Sequence, residues 1–523
     1  MAVSAESGRL DPVPERFNLA RYCLGRSAAA VPDQVALTVV CDVDDPAATT
    51  RWTYAELEDA VLRLARGFRD AGLHPGHRVF IRMGNSADYA ITFFAANAAG
   101  LVPIPGSSLL QAREVAFMVA DAEVSAVISD GTLELPELPD GVTVIAPADL
   151  ERLRQSPRAD YVDTDANDPA FLVYTSGTQK QPKGVLHAQR VVWGRRPMYQ
   201  GWYGYEPGDV VLHAGAFNWT YTLGSGLFDP WANGLSTIVY TGPKDPTVWP
   251  RLIRDYGATI MAAVPTVYRQ ILKYANPQPG SLGRLRHGLT AGEALSPALA
   301  SAWFDATGLR LYEALGMSEI STYISSSPSV PPKPGSPGKP QAGRRVAILD
   351  PDDPSGRELG TGQEGLIAIH RSDPGLMLTY WNRPEEMAEA FRGEWFIGGD
   401  LGVLDEDGYL WFKGRADDLM NALGYRVSPL EVESVLARHP DVADVAVAEV
   451  KVREDLSVIA AFFVPREGAE LEPEELIAFG KNDLAAYKLP RAAYSVSELP
   501  RSPNGKLRRR ELQRFVRVNT AAA

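Results

Sequence analysis

Helix-like and strand-like segments alternate along most of this chain, and the alternation limits the folds that it can adopt. Thr53 and Glu56 form the pattern of a helix capping box, and apolar residues then recur at helical spacing over 57–68. Residues 78–81 follow as a short strand-like run. A helix leading into a strand is therefore predicted near the start of the chain.

The same order recurs further along. Residues 115–120 have a helical pattern and 125–128 a strand pattern, and 248–256 and 259–263 repeat the arrangement. Units of this kind build parallel sheets that helices cover. The sequence thus predicts an α/β protein, and the absence of a repeat of about 20 to 50 residues argues against a solenoid.

The composition is that of a soluble globular protein with more than one domain. The chain has 523 residues, 45% hydrophobic and 22% charged, which exceeds what a single core supports. A net charge of −13 argues against nucleic acid or an anionic membrane as partner. The apolar run 89–104 is broken and too short to cross a membrane, so a buried helix and strand are expected there.

The cysteine content and the amino terminus predict a cytoplasmic location. Cys23 and Cys41 can form neither a disulfide framework nor a metal-ligand spacing in a chain of this size. The first residues carry acidic side chains and no apolar core, unlike a secretory signal.

One loop indicates a phosphate-binding chemistry. Residues 175–184 read TSGTQKQPKG and follow the apolar strand pattern of 171–174. Backbone amides, hydroxyls and lysines in such a loop suit a polyanion. A P-loop is excluded, because its lysine is followed by Ser or Thr, whereas Lys183 is followed by Gly184. A simple surface turn of the same composition stays open on this loop alone.

Tyr174 to Gly184 resembles the YTSGTTGxPKG loop of the AMP-forming adenylating enzymes, apart from Gln179 and Lys180. Further segments resemble that superfamily in its order, from about Trp52 to Leu512: 291–295 (AGEAL), 316–319 (GMSE), Gly399 with Asp400, 414–418 (GRADD) and 503–506 (PNGK). The resemblance implies the acyl-CoA synthetase branch, with medium-chain or aryl acid CoA ligases as the most similar members.

The resemblance also implies the domain organisation. Residues 1–415 would form a large domain of parallel sheets layered with helices plus a small β subdomain, which binds ATP and the acid. Residues 416–523 would form a small, mobile α+β domain. The Pro- and Gly-rich residues 327–343 are expected to form a loop before a strand, with a disordered linker as the alternative.

The resemblance assigns the nucleotide-binding residues. Thr175 would act in catalysis at the phosphates, and Glu319, beside Ser318, would hold Mg²⁺, an ion that prefers hard oxygen ligands. Asp400 would bind the ribose hydroxyls and Arg415 ribose or phosphate, although an aspartate beside two glycines also caps turns. Ser176, Gly177, Thr178 and Lys183 would join Thr175 at the β- and γ-phosphates, and the segment 291–295, with Gly292, Glu293 and Ala294, would contact adenine. The remaining nucleotide contacts would be Leu315, Gly316, Met317 and Ser318. Leu315 stands where the family commonly places an aromatic residue on adenine.

The carboxyl-terminal part would supply the remaining catalytic group. Lys506 resembles the lysine that bridges the acid carboxylate and the nucleotide during adenylation, with a solvated basic tail as the alternative. Asp417 would be the hinge about which the small domain rotates between the two steps. Gly424 would line the passage for coenzyme A, and Arg426 would reach phosphate.

The acid site is expected in residues 215–222, which resemble the acid-binding segment of acetyl- and medium-chain acyl-CoA synthetases. Phe217, Asn218, Trp219 and Tyr221, with Ala291, would line it, and their aromatic character predicts an apolar acid, unless Phe217 and Trp219 are core residues. Asn218 replaces the aspartate with which peptide adenylation domains pair an amino group, which disfavours an amino acid substrate.

The predicted function is therefore an ATP- and Mg²⁺-dependent carboxylate:CoA ligase for an aryl, alicyclic or medium-chain acid. Its two steps would be acyl-AMP formation with release of pyrophosphate, then transfer to coenzyme A with release of AMP. Two alternatives stay open: an adenylating enzyme with another second step, either transfer of the acyl group to a carrier protein or oxidation of the adenylate, or an inactive nucleotide-binding relative altered at Gln179 and Lys180. The resemblance leaves a homodimer open as well.

Overall fold

The computed structural model describes residues 11–175, 182–243, 245–418, 420–422, 425–453, 456–501 and 507–519. Its residues form two compact units. The first, unit 1, contains the chain up to Val346 together with Ile369–Phe396, and the second, unit 2, contains Ala347–Ala368 and the chain from Ile397 onward. The domain boundary after Arg415 stays a prediction.

The helices lie between the strands along most of the chain. In chain order they are α1 (Arg26–Ala30), α2 (Tyr54–Asp70), α3 (Ala87–Ala98), α4 (Ala112–Asp121), α5 (Pro147–Leu153), α6 (Thr220–Leu223), α7 (Asp229–Ala232), α8 (Val248–Asp255), α9 (Pro265–Ala275), α10 (Pro297–Thr307), α11 (Pro384–Glu389), α12 (Pro429–Leu436), α13 (Pro473–Gly480) and α14 (Gln513–Asn519).

Most of the strands are short, and the longer ones among those described are Trp395–Leu404, Val442–Arg453 and Leu456–Pro465. In chain order they are β1 (Val35–Val40), β2 (Thr50–Thr53), β3 (Arg78–Arg82), β4 (Val102–Pro105), β5 (Ala126–Ser129), β6 (Thr143–Ile145), β7 (Pro169–Thr175), β8 (Lys183–Ala188), β9 (Val210–His213), β10 (Ser236–Tyr240), β11 (Ile260–Ala262), β12 (His287–Ala291), β13 (Leu311–Met317), β14 (Ser321–Ser325), β15 (Lys339–Pro340), β16 (Val346–Leu349), β17 (Gly365–His370), β18 (Thr379–Tyr380), β19 (Phe391–Arg392), β20 (Trp395–Leu404), β21 (Leu410–Arg415), β22 (Met420–Ala422), β23 (Tyr425–Val427), β24 (Val442–Arg453), β25 (Leu456–Pro465) and β26 (Ala492–Ser495).

Unit 1 contains the parallel sheets that the alternation predicts. In the described part of the chain, the largest sheet has nine strands in the order β15-β14-β13-β12-β11-β9-β10-β1-β2, parallel from β13 to β1. A second sheet, β4-β3-β5-β6, is parallel throughout. A third, β18-β8-β7, is antiparallel, and the predicted phosphate loop connects β7 with β8.

Helices α2 and α3 contribute many buried side chains to one hydrophobic core of unit 1. Helix α2 begins at the predicted capping box, in which the Glu56 amide donates to the Thr53 hydroxyl and the Thr53 amide donates to the Glu56 carboxylate. Residues from Tyr89 to Ala98 of α3 are all buried, as expected for a helix that is apolar on every side. The predicted buried helix and strand at 89–104 are therefore confirmed as α3 and β4. Within the described ranges, none of the helices has both the length and the apolar character that a bilayer crossing demands.

The Pro- and Gly-rich residues 327–343 pack as an ordered loop before β16. Ser327, Ser336 and Gln341 are at most 4% exposed, which excludes the linker alternative. Buried polar side chains here have hydrogen-bond partners nearby: the Ser329 amide donates to the Ser327 hydroxyl, and the Gln341 side-chain amide donates to the Ser325 hydroxyl.

Unit 2 includes the small α+β region that the carboxyl-terminal sequence predicts. Strands β24 and β25 pair in antiparallel fashion, β26 joins β25 in parallel, and α12 packs beside β24. Helix α12 begins at Pro429, directly after Ser428, and α13 ends at Gly480. The antiparallel pair β20 and β21 belongs to the same unit from Ile397 onward.

Candidate active site

Three of the predicted site segments of unit 1 lie at one edge of the nine-stranded sheet. Strands β9, β11, β12 and β13 are parallel neighbours, so their carboxyl ends lie at the same edge. The predicted acid segment, residues 215–222, follows β9, while 291–295 span the end of β12 and 316–319 span the end of β13. Ligands of open α/β sheets bind outside the carboxyl ends of the strands, and this edge is therefore the candidate site.

The predicted acid segment and the predicted adenine segment contact each other directly. Gly292 has a φ of +89°, and a Cβ at this position would lie 2.8 Å from the indole ring of Trp219. A glycine is needed here for two reasons. Any other residue would be strained at this backbone conformation, and its side chain would displace the indole ring. Beside it, Glu293 accepts a hydrogen bond of 3.1 Å from the Thr266 hydroxyl, and Ala291 is buried opposite Ala314. Ala294 is exposed.

The phosphate loop begins and ends on paired strands. Thr175, the last residue of β7, lies opposite Lys183, the first residue of β8. The five predicted loop positions Ser176, Gly177, Thr178, Gln179 and Lys180 lie outside the described residues. The paired stem places the threonine and the lysine side by side at the base of the loop.

Lys183 and Glu319 share one neighbour, Tyr380. The ammonium of Lys183 lies 3.8 Å from the centroid of the Tyr380 ring, and the Tyr380 hydroxyl donates a hydrogen bond of 2.7 Å to Glu319 Oε1. Glu386 Oε2 lies 3.9 Å from the same ammonium. Tyr380 reaches this place because β18 pairs with β8, with Tyr380 opposite Val185. The predicted phosphate lysine and the predicted metal ligand are thus linked through a residue that no motif includes.

The turn that carries Glu319 is held by hydrogen bonds from three other elements. The Met377 amide donates to the Glu319 carbonyl at 2.8 Å, and the guanidinium of Arg195 donates to the Ser321 hydroxyl. His187 Nε2 lies 2.9 Å from the Ser318 carbonyl and must donate, which fixes the tautomer of the ring. Burial lowers the pKa of His187 to about 3, so the ring is neutral.

Arg195 belongs to a buried ion pair. Its guanidinium donates to both carboxylate oxygens of Asp229 at 2.6 to 3.0 Å, and both side chains are at most 4% exposed. Tyr203 donates a further hydrogen bond of 2.6 Å to Asp229. Such a pair persists because its charges and hydrogen bonds are mutually satisfied. The Glu319 turn is therefore anchored to a rigid part of the core.

Glu319 suits a magnesium ion shared with phosphates. Among the described residues, its second carboxylate oxygen has no hydrogen-bond partner, and no cluster of three His, Cys, Asp or Glu side chains is found that would hold a metal alone. Mg²⁺ is usually held by one or two carboxylates, with phosphate oxygens and water as the other ligands. A single fixed carboxylate beside a lysine fits that mode of binding.

Asn85 holds the backbone of the acid segment through two hydrogen bonds. Its side-chain amide donates to the Gly215 carbonyl at 3.0 Å, and its carbonyl accepts from the Phe217 amide at 2.9 Å. Phe217 is 1% exposed and packs against Tyr89, with ring centroids 5.4 Å apart. Its side chain thus lies in the core, and its assignment to the acid site stays a prediction.

The other predicted acid-site residues differ in burial. Asn218 and Trp219 are half-buried, whereas Tyr221 is 7% exposed and donates a hydrogen bond of 3.3 Å to the Leu289 carbonyl. The Trp219 ring meets the Tyr221 ring edge to face, with centroids 5.3 Å apart. Trp219 therefore lies beside both Tyr221 and Gly292.

Two titratable groups of these strands, the buried His213 and the half-buried Glu313, were missed by sequence reasoning. His213 Nδ1 accepts from the Gly215 amide at 2.9 Å, and burial lowers the pKa of this histidine to about 3. Glu313 accepts from the Leu295 amide at 2.9 Å, and burial raises the pKa of this carboxyl to about 7. No local pattern distinguishes either residue from an ordinary strand position, and only the fold reveals their burial.

The remaining nucleotide-site predictions on β13 are partly exposed. Leu315 is half-buried and lies opposite Ile324 on β14, while Gly316 is exposed and Met317 half-buried. A Cβ on Gly316 would lie 2.4 Å from the Ser321 carbonyl, so the turn closes too tightly for a side chain there. Their contacts with adenine stay predictions.

In unit 2, Asp400 and Arg415 lie opposite each other on β20 and β21. The Arg415 guanidinium donates to Asp400 Oδ1 at 3.2 Å and to the Gly398 carbonyl at 2.6 Å. Asp417 lies in a short helical turn, Ala416–Asp418, and Arg426 in β23, but their side chains are not described. Gly424 and Lys506 lie outside the described residues.

Comparison with known proteins agrees with this geometry. Residues 24–381 match the family model of the AMP-binding enzymes, and residues 431–506 match that of the AMP-binding enzyme C-terminal domain. The chain is 31% identical to the benzoate–CoA ligase of Thauera aromatica, over 96% of each protein. It is 29% identical to the mitochondrial acyl-coenzyme A synthetase ACSM3 of Rattus norvegicus, over 96% of this chain and 91% of that protein.

A solved structure has the same fold. The benzoate CoA ligase of Burkholderia xenovorans LB400 superimposes with a TM-score of 0.83 at 28% identity, covering 95% of this chain and all of that one. The family models, the relatives and the α/β fold agree. The chain belongs to the AMP-binding enzyme family, and within it to the acid–thiol ligases, the AMP-forming acyl-CoA synthetases.

Proposed function

We propose that the protein joins a small apolar carboxylic acid to coenzyme A in two steps at the expense of ATP. In the first step an oxygen of the acid attacks the α-phosphorus of ATP, and pyrophosphate leaves with the electron pair of the broken P–O bond. In the second step the sulfur of coenzyme A attacks the acyl carbon, its proton is lost, and AMP leaves. The link from Lys183 through Tyr380 to Glu319 is the observation that carries the proposal.

A triphosphate needs fixed positive charge and hydrogen-bond donors where its own charge shifts during the first step. Lys183 at the loop stem supplies a cation, and Thr175 opposite it supplies a hydroxyl. Mg²⁺, when bound, neutralises phosphate charge, and Glu319 is the side chain that would hold it. His187 keeps the Ser318 carbonyl in place without adding charge, since its ring is neutral.

The acid is proposed to be aryl, alicyclic or medium-chain. Trp219 and Tyr221 offer aromatic faces, and Asn218 offers no charge to an amino group. The names of the benzoate–CoA ligase relatives and of an anthranilate CoA ligase in complex with anthranoyl-AMP, 26% identical with a TM-score of 0.83, support an aromatic acid among these classes.

A panel of acids tests the proposal. The protein is incubated with ATP, Mg²⁺ and benzoate, cyclohexanecarboxylate or octanoate, with and without coenzyme A, and pyrophosphate and thioester are measured. Acid-dependent pyrophosphate together with an acyl-CoA mass supports the ligase. Pyrophosphate without thioester would indicate another second step, either transfer to a carrier protein or oxidation of the adenylate. ATP binding without pyrophosphate for any acid would indicate an inactive relative.

A second experiment tests the role predicted for Lys506. We expect Lys506→Ala to reduce acyl-AMP formation by about 10²–10³-fold, because a cation that brings two anions together is lost. Thioester formation from supplied acyl-AMP is expected to stay within about twofold of the wild type. Equal loss of the two half-reactions would contradict the assignment of Lys506 to the first step alone.

A further inference from the structure

We propose that Tyr380 is a positioning residue that sets the places of Lys183 and Glu319 together. The inference deepens the proposed function and rests on it for the identity of the ligand, the Mg²⁺-bound triphosphate. The two groups come from distant parts of the chain, and a single side chain on β18 contacts both.

The ring of Tyr380 holds the lysine. An ammonium 3.8 Å from the ring centroid lies within the range of a cation–π contact, and the lysine is 24% exposed, so the contact is partly desolvated. A lysine side chain is flexible and would otherwise sample many rotamers in solvent. The ring limits that freedom before any ligand arrives, which reduces the entropy lost when a phosphate is bound.

The hydroxyl of Tyr380 orients the carboxylate. It donates to Glu319 Oε1 at 2.7 Å and leaves the second oxygen without a partner among the described residues. Hydrogen bonds to a metal-binding carboxylate commonly fix its orientation, and their loss typically reduces metal affinity about 10–100-fold. Tyr380 itself is 5% exposed and is held by the pairing of β18 with β8, so it is a rigid support.

Because the ring and the hydroxyl act on different groups, their contributions separate experimentally. Tyr380→Phe keeps the ring beside Lys183 and removes the hydroxyl from Glu319. Tyr380→Leu removes both. The matched control is Tyr161→Phe, because Tyr161 also donates to a glutamate, Glu58 Oε1 at 2.9 Å, on a part of unit 1 that carries no motif.

The readout is nucleotide binding by calorimetry rather than turnover, with ATP and AMP, first in EDTA and then over a Mg²⁺ series. For Tyr380→Phe we expect the ATP affinity in EDTA to stay within twofold of the wild type. The Mg²⁺ concentration that gives half of the Mg²⁺-dependent gain in ATP affinity should be about tenfold higher than for the wild type. For Tyr380→Leu we expect ATP affinity in EDTA to fall about two- to tenfold as well. AMP affinity should stay within twofold in both variants, since Lys183 is assigned to the β- and γ-phosphates.

Several outcomes would overturn the proposal. ATP and AMP affinities that fall together would show a merely structural tyrosine. An unchanged Mg²⁺ requirement in Tyr380→Phe, or an equal shift in Tyr161→Phe, would do the same. Should Tyr380→Leu fail to fold, Tyr380→Phe decides alone. A wild type that binds ATP with Mg²⁺ but forms no thioester would contradict the proposed function and leave this test intact.

Discussion

The nucleotide end of the site, which comprises Thr175, Lys183 and the turn 316–321, and the acid end, residues 215–222, are built differently. At the nucleotide end, charged and polar groups are held by hydrogen bonds from other elements, such as those of His187 and Tyr380. At the acid end, aromatic rings pack against the core and one another, and Asn85 fixes only the backbone.

The difference follows from what each end must recognise. Phosphates carry fixed charge, so only a few residue types suit them, and a motif results. An apolar acid is recognised by the shape of the space that is left to it, and many combinations of side chains leave the same space. Motifs therefore identify the nucleotide end, whereas the acid end has to be read from packing.

The largest expected effect tests whether the acid end belongs to the core. Phe217→Ala should lower the free energy of unfolding by about 3–5 kcal/mol, the usual cost of removing a buried phenylalanine. Urea unfolding followed by tryptophan fluorescence measures it. Phe304→Ala is the control, because Phe304 is 44% exposed and should cost less than about 1 kcal/mol. Unchanged stability with a raised KM for the acid would instead place Phe217 in the acid site.

The nucleotide end is expected to respond in the opposite way. Glu319→Gln keeps the shape of the side chain and an acceptor for Tyr380, but removes the charge that would hold Mg²⁺. We expect acyl-AMP formation to fall about 10²–10³-fold with little change in the melting temperature. Pyrophosphate release and calorimetry measure the two quantities, and Glu385→Gln, at an exposed position on α11, is the control. A large loss of stability would show that the nucleotide end, too, depends on packing.

Much of the fold was predictable because its signals are local. The capping box at Thr53 and the apolar run of α3 are each contained in a few consecutive residues, and both predictions are confirmed. Tyr380 and Glu319, by contrast, are 61 positions apart in the sequence. The pairing of β18 with β8 brings them together, and neither strand has a sequence pattern that predicts this pairing. The motifs named the reacting groups, and the residues that hold them required the structure.

A smaller effect concerns Glu313, which lies beneath the adenine segment. Its pKa is raised from 4.5 to about 7, so its contribution to stability is present below about pH 4.5 and lost as the pH rises through about 7. Asp305, Arg310 and Lys333 line the same cavity as Glu313.

We expect Glu313→Gln to match the wild type in melting temperature near pH 4.5 and to exceed it by about 1–3 °C at pH 8, because the amide stays neutral. Scanning calorimetry at both pH values measures the difference, with Glu385→Gln as the control. A variant that is less stable than the wild type at pH 8 would show that the ionised carboxylate is favoured there.

The smallest effect is expected where the nucleotide end meets solvent. Glu386 lies 3.9 Å from the Lys183 ammonium, and the two side chains are 34% and 24% exposed, so the pair is weak. A phosphate would compete with this carboxylate for the lysine. Glu386→Gln should therefore strengthen ATP binding by at most about threefold at low salt, with less effect at high salt, as calorimetry would show. Weaker binding would mean that Glu386 holds the lysine in its working position, as Tyr380 does, and that the support of the nucleotide end extends onto α11.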